Sequence, residues 1–266
     1  MLRTRAEATM NHKPEHRSMG TEIVCVSTGE RFGDVYAQRL HNMLCRNFEA
    51  PFRLTCLTDR RRDLPSEVQQ VDIKGFQEQG FFNKMLLYNP EVLPIDGMLY
   101  MDLSLAIKSD VSHLASYGRG LDKDLVVIHD WKRPVLNTCV QWITRNDTTK
   151  ALWEFYKEGS HPEFRTRGDQ EFVQDALDLL GLGDRIGYFE DGEIQSFKVL
   201  RAAHRRSDEA FRALWEKTKI VKFHGIPRQH HVLSPWQRFW NVTVRYPHYA
   251  RKDWNFLVDE IREMWR

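Results

Sequence analysis

The run Gly97-Met98-Leu99-Tyr100-Met101-Asp102-Leu103-Ser104 constrains this chain more than any other segment. A short apolar run ending on an acid reads as a buried strand that delivers Asp102 at its carboxyl end. Open α/β sheets place their ligands outside that end of their strands. Two further runs share the character. Ile23 to Ser27 is a β run closing on Thr28-Gly29, and Phe52 to Thr58 is a second, closing on Asp59 and the basic triplet Arg60-Arg61-Arg62. Between them Tyr36, Leu40, Met43 and Leu44 recur at helical spacing and form one apolar face. Strands alternating with helices predict an α/β fold with a mostly parallel sheet covered by helices.

The rest of the chain extends this pattern. Phe81 to Tyr88 reads as a helix stopped by Asn89-Pro90, and Asp124 to Asp130 and Asn137 to Thr144 read as strands. Asp147 is expected to cap a helix carrying Leu152 and Phe155. Asp169 is expected to cap a second, with Phe172, Val173, Ala176, Leu177 and Leu180 on one face and Gly181 as its stop. Ile220 to Phe223 is a late strand running into His224-Gly225. Trp254, Leu257, Val258, Ile261 and Trp265 mark a C-terminal amphipathic helix. With no repeat and no low-complexity linker, residues 20–266 read as one domain ending in a helical tail from about residue 232.

Composition excludes several classes. A chain of 266 residues with 41% apolar content is long enough to bury roughly 75% of its unfolded surface. Net charge +2 supplies no global field for nucleic acid or anionic membrane, and no apolar run nears the roughly 20 residues that span a bilayer. Residues 1–19 are polar and basic without an apolar h-region, so they read as a disordered leader, with Met19 as an alternative start, on a cytoplasmic protein. Cys25, Cys45, Cys56 and Cys139 show no close spacing and are expected as free thiols in apolar surroundings.

Taken singly, the polar residues have ordinary explanations: Asp102 caps a turn, Lys84 is a solvated helix lysine, His224 is structural and Asp169 caps a helix. Their order carries more. Val26-Ser27-Thr28-Gly29 with Tyr36, Cys56 to Asp59, Phe82-Asn83-Lys84, Tyr100 to Ser104, His129-Asp130-Trp131 with Asn137-Thr138, Gly168-Asp169-Gln170 and Phe223-His224-Gly225 follow one another from Ile23 to Arg228. That succession resembles the glycosyltransferases of the GT-A fold, particularly the family 8-like group that includes glycogenin and bacterial galactosyltransferases.

The resemblance implies a single-domain GT-A-like fold and transfer of a hexose from a nucleotide-diphospho-sugar, with UDP as the nucleotide, to an acceptor hydroxyl in polysaccharide synthesis. It implies that Ser27, Thr28 and Gly29 meet the base and ribose with support from Tyr36, that Asp59 is a further nucleotide contact, and that Lys84 turns toward the donor. Asn137, Asp169 and Gln170 would line the sugar pocket, with Gln170 near the anomeric carbon. Asp102 would be the first acid of an Asp-x-Asp motif holding Mn2+ or Mg2+, with His224 as the distant third ligand. Gly225 and Arg228 would follow it at the diphosphate.

Ser104 departs from this pattern, because it stands where the second acid is expected and removes one negative charge from the metal site. One carboxylate with substrate phosphates can still hold magnesium. Ile226-Pro227-Arg228 replaces the usual Lys-Pro after His-Gly, and the Arg228 guanidinium offers phosphate a bidentate fork. Two alternatives therefore stand beside the transferase: a non-catalytic binding protein with a degenerate motif, and a sugar transferase acting on modified DNA bases. The latter rests on basic residues (Arg205, Arg206, Arg228, Arg238, Arg245, Arg251, Lys252) interleaved with Trp236, Phe239, Trp240, Tyr246 and Tyr249. For most of those aromatics the favoured reading is an amphipathic helical tail packed on the sheet; a saccharide groove, a grip for single-stranded nucleic acid or lipid, and a homodimer surface stand beside it.

Overall fold

Two strands paired in parallel along their whole length open the fold. β1 (Thr21–Ser27) and β2 (Phe52–Thr58) run in register from Thr21↔Phe52 to Ser27↔Thr58, so their carboxyl ends lie side by side. α1 (Asp34–Asn47) connects them and buries the expected Tyr36, Leu40, Met43 and Leu44. β3 (Gln69–Asp72) adds in parallel outside β2, and β4 (Gly97–Met101) adds in parallel on the opposite side of β1. The chain thus builds outward on one side of β1 and then on the other. The gap between the carboxyl ends of β1 and β4 is a topological switch point. The computed structural model describes residues 20–76, 80–159, 168–236 and 257–266. The expected leader and the interleaved segment from Phe239 to Trp254 lie outside the described residues.

β5 (Leu105–Ile107) and α2 (His113–Gly120) follow, then β6 (Leu125–His129) and β7 (Leu136–Thr144), which pair antiparallel. β7 also pairs antiparallel with β4. After α3 (Asp147–Glu158) and α4 (Asp169–Leu179), β8 (Ile186–Tyr188) closes the far edge in parallel with β6. The order β3-β2-β1-β4-β7-β6-β8 has four parallel pairs among six, which is the mostly parallel mixed sheet expected. β9 (Ile194–Ser196), α5 (Phe197–Arg206), α6 (Asp208–Lys217) and β10 (Ile220–Lys222) come next. They form a second sheet, β5-β10-β9, with β10 antiparallel to β5. α7 (Gln229–Leu233) and α8 (Val258–Met264) complete the described elements.

Alternation along the strands divides the core. Leu99 and Met101 of β4 join one apolar cluster while Met98 and Tyr100 join another, and β1 splits the same way at Ile23 and Val24. Both faces of the central sheet are therefore buried, as strands this apolar require. No helix among the described residues is long and apolar enough to cross a membrane.

Several local expectations change. The Gly80–Tyr88 segment is a 3₁₀ helix. Asn146, not Asp147, caps α3, accepting from the backbone N–H groups of Thr148 and Thr149. Gly168 precedes α4, and Asp169 is its first residue with its carboxylate directed elsewhere. Leu180 lies past the helix and is exposed, just before Gly181 at φ +67°. Cys25, Cys56 and Cys139 are buried free thiols, whereas Cys45 is exposed.

A close approach of α2 to the sheet rests on Gly118. A Cβ there would lie 2.4 Å from Cβ and 2.5 Å from Cγ of Trp142 in β7. Overpacking of this kind costs about 1–3 kcal/mol, so Gly118→Ala is expected to lower the urea midpoint accordingly. An unchanged midpoint would mean that α2 shifts off Trp142 without loss.

Candidate functional site

A cavity of about 440 Å³ opens at the switch point between β1 and β4. Thr28 and Gly29 enter it from the end of β1, and Asp102 and Ser104 from the end of β4. Asn83 and Lys84 come from the 3₁₀ segment, Lys222 is the last residue of β10, and His224 and Gly225 follow it. Arg31, Phe32, Phe81 and Arg228 complete its rim, with Phe81 45% exposed.

The β1 side is fixed from behind by Arg62. Its side chain is fully buried, and its guanidinium spends its donors on protein acceptors. Nε donates to the Ser27 carbonyl (2.9 Å) and Thr58 Oγ1 (2.8 Å). Nη2 donates to the Gly29 carbonyl (2.9 Å) and Asp59 Oδ1 (3.2 Å), and Nη1 to Asp34 Oδ1 (3.0 Å). Asp59 Oδ2 in turn accepts the Gly29 N–H at 2.8 Å, where Gly29 turns with φ +61°. Burial raises the Asp59 carboxyl, but the Gly29 N–H and Arg62 outweigh it and hold the pKa below the usual carboxylate range. Asn83 Nδ2 ties the 3₁₀ segment to this loop through Thr28 Oγ1 at 3.2 Å.

The chemical centre is Asp102. Its backbone N–H is held by the Cys139 carbonyl at 2.9 Å, continuing the β4–β7 pairing one residue past the strand. Oδ1 accepts from the Tyr100 hydroxyl (2.5 Å) and from Lys84 Nζ (3.0 Å), and Oδ2 accepts from Lys222 Nζ. Lys84 Nζ also lies 3.0 Å from Asp169 Oδ2, which accepts the Thr138 hydroxyl at 2.7 Å. Lys222 Nζ also donates to Ser104 Oγ at 2.6 Å. Burial pushes the Asp102 carboxyl up, but the charges of Lys222 and Lys84 overcome it and hold the pKa far below the carboxylate range. Burial likewise works against the Lys84 ammonium, and Asp102 and Asp169 reverse that, so Lys84 stays charged.

Other expected residues are placed less centrally. The His224 ring stacks on Trp131 with centroids 5.6 Å apart, and its Nε2 lies 3.5 Å from Ser196 Oγ. Burial, with the charges of Lys198, Lys222 and Lys132, lowers its pKa to about 4. Arg228 sits over the Phe32 ring at 4.9 Å and donates to the Arg31 carbonyl. Ser27 is fully buried, behind the cavity wall. Tyr36 packs in the core against Phe32 and Trp265 and bonds His230, and burial raises its hydroxyl to about 12. Asn137 lies on β7, donating to Asp130 and accepting from the Cys139 N–H. Gln170, in the first turn of α4, is half-buried and does not line the cavity.

The anticipated donor set for Mn2+ or Mg2+ is Asp102, Ser104 and His224. Both oxygens of Asp102 are engaged by ammonium groups, Ser104 accepts from one of them, and His224 faces a positive neighbourhood. Among the described residues, no group of three or more His, Cys, Asp or Glu side chains is placed to hold a metal ion. As they stand, these residues do not fit a divalent cation.

Arg62 and Lys222 were not singled out from the sequence. The signal for Lys222 was present, because a lysine inside the apolar strand Ile220-Val221-Lys222-Phe223 has to be paired if it is buried. Arg62 had only its position in a basic triplet. Replacing Arg62 by Met leaves Asp34, Asp59 and three carbonyls without their partner, and is expected to cost about 3–5 kcal/mol in denaturant unfolding. Arg62→Lys is expected to recover little of that loss, since one ammonium cannot reproduce the fork. Full recovery with Lys would show that charge alone, not geometry, holds the loop.

No protein-family model matches the chain, and no curated protein sequence matches it. Solved structures do. The galactosyltransferase LgtC, determined with donor and acceptor sugar analogs, superposes with a TM-score of 0.56 at 13% identity over 86% of this chain and 95% of its own. The glycosyltransferase GlyE of Streptococcus pneumoniae TIGR4 gives 0.55 at 15% over 92% of this chain, which spans 64% of GlyE. Mouse xyloside xylosyltransferase 1 gives 0.50 at 12%, covering 78% and 98% of the two chains. At these identities the likeness is one of fold, and the chain has the GT-A fold that the order of its segments implied.

Proposed function

We propose that this cavity takes a nucleoside-diphospho-hexose, with uridine as the base, and that the chain transfers the hexose to a hydroxyl of a saccharide acceptor. The observation that carries the reading is Lys84, whose ammonium bridges Asp102 and Asp169 beside the carboxyl end of β4. It places one positive group between an acid on the diphosphate side and an acid at the start of α4.

The chemistry of glycosyl transfer makes matching demands. Breaking the bond between the anomeric carbon and the phosphate oxygen leaves negative charge on the nucleoside diphosphate and positive charge on the ring. Arg31, Lys84, Lys222 and Arg228 supply positive groups among the residues that line the cavity. Asp169 and Gln170, in the first turn of α4 just outside the cavity lining, would supply acceptor oxygens to an oxocarbenium-like sugar that extends past Lys84 toward that helix. LgtC has been studied as an active-site Gln-to-Glu variant, which supports giving Gln170 a part at the sugar. Phe32 and Phe81 offer apolar walls for the base, with Thr28 and Gly29 at the nucleoside. Ser27, Asp59 and Tyr36 act through the loop and core that position these groups, and Asn137 through Asp130. Asp102, Ser104 and His224 do not fit Mn2+ or Mg2+, which leaves the charge on the diphosphate to the cationic side chains.

Titration of the protein with UDP-hexoses, followed by a transfer assay against saccharide acceptors, tests the reading. Arg228→Ala is expected to weaken UDP binding roughly 10- to 100-fold, as loss of a charge-assisted contact does. Gln170→Ala is expected to leave UDP affinity in place and lower kcat by about 10²-fold. Binding of no UDP-hexose would overturn the reading, and binding without any turnover would leave a binding protein.

A further inference from the structure

We infer that the Lys222 ammonium takes the place of a divalent cation in this site, so that the chain binds its diphosphate ligand without metal. The inference rests on the nucleoside-diphosphate reading above and specifies what holds the phosphates.

The placement is built by the fold. β10 runs antiparallel to β5 with Lys222 opposite Leu105, and the Phe223 N–H bonds the Ser104 carbonyl at 2.9 Å. This register sets the lysine across from the segment that follows Asp102. Its side chain is only 8% exposed, and Nζ bonds Asp102 Oδ2 and Ser104 Oγ together. Those two residues are the first and third positions of the Asp-x-Ser segment, where two oxygen ligands would face one cation. An ammonium now sits between them.

Charge explains why a serine stands at 104. Asp102 and Asp169 carry two negative charges, and Lys84 and Lys222 carry two positive ones, so the cluster is already balanced. A divalent ion added at Asp102 would share one carboxylate with two ammonium groups at contact distance. His224 adds no help, because its ring is stacked on Trp131 and its Nε2 lies beside Ser196 Oγ. The hydroxyl of Ser104 accepts from the lysine, whereas a second carboxylate would add an unbalanced charge to a buried cluster.

The step remains balanced without metal. The anomeric carbon–oxygen bond breaks and its electron pair stays on the terminal phosphate oxygen, which the Lys222 and Lys84 N–H groups stabilise. The acceptor hydroxyl oxygen forms the new bond to carbon, and its proton ends on the released diphosphate. The lysine donors act as fixed electrostatic groups and need not give up a proton.

The test titrates the full-length protein with UDP, GDP and ADP by calorimetry, once with Mn2+ and once with EDTA. The expected result is binding of one nucleotide with equal affinity, within about twofold, in both conditions, and no uptake of Mn2+ alone by its EPR signal. Binding strengthened tenfold or more by Mn2+ would overturn the inference while leaving the nucleotide reading intact. No binding of any of the three in either condition would overturn that reading and the inference with it. Lys222→Met is expected to lower affinity by roughly 10²-fold while Lys222→Arg retains most of it. Lys222→Ala combined with Ser104→Asp rebuilds a two-carboxylate site and is expected to make UDP binding depend on Mn2+. A double variant that folds and stays indifferent to Mn2+ would place the cation position elsewhere.

Discussion

Asp102 is a carboxylate taken out of water, and the arrangement around it follows from that. An ionised acid with little solvent access is unfavourable unless its charge is matched and its oxygens are bonded. Here each oxygen meets an ammonium group, one also meets a tyrosine hydroxyl, and the backbone is pinned to β7. Lys84 then needs Asp169, and Lys222 needs Ser104, so one acid organises residues from the 3₁₀ segment, α4 and β10. Low polarity strengthens every one of these contacts and makes loss of any member costly to the others.

The sheet order makes such a convergence feasible. β1 and β4 are neighbours and parallel, so the residues that follow each arrive at one edge. The second sheet brings β10 against β5 immediately after Asp102, which closes the same edge from the other side. A cavity at this place is a property of the topology, and its charge pattern belongs to a few side chains.

How much of this was legible depended on the range over which each residue acts. β1, β2 and β4 were readable because apolar runs bounded by turn residues are local signals. Asp102 and Lys84 were readable through their order along the chain, although their direct ion pair was not. Lys222 bonds Ser104 across 118 positions, and only the antiparallel register of β10 and β5 creates that contact. The helical spacing of Tyr36 placed it on the buried face of α1, where it is found. The capping residues missed by one position reflect how weakly a side chain announces which backbone N–H it accepts: Asn146 and Asp147 are both competent caps in sequence.

Arg62 has a consequence beyond stability. Every arm of its guanidinium is committed to the segments from Ser27 to Asp34 and from Thr58 to Asp59, and none is left to reach into the cavity. Half of its six bonds run to main-chain carbonyls, which exist whatever side chains the loop carries. The path of that wall is therefore decoupled from the identity of the residues it displays. Arg31 can be exchanged without removing any of these carbonyls, whereas the Thr28 hydroxyl also holds Asn83 and the Phe32 ring also packs on Tyr36. Such a wall lets recognition of a ligand drift by single substitutions while its frame stays in place.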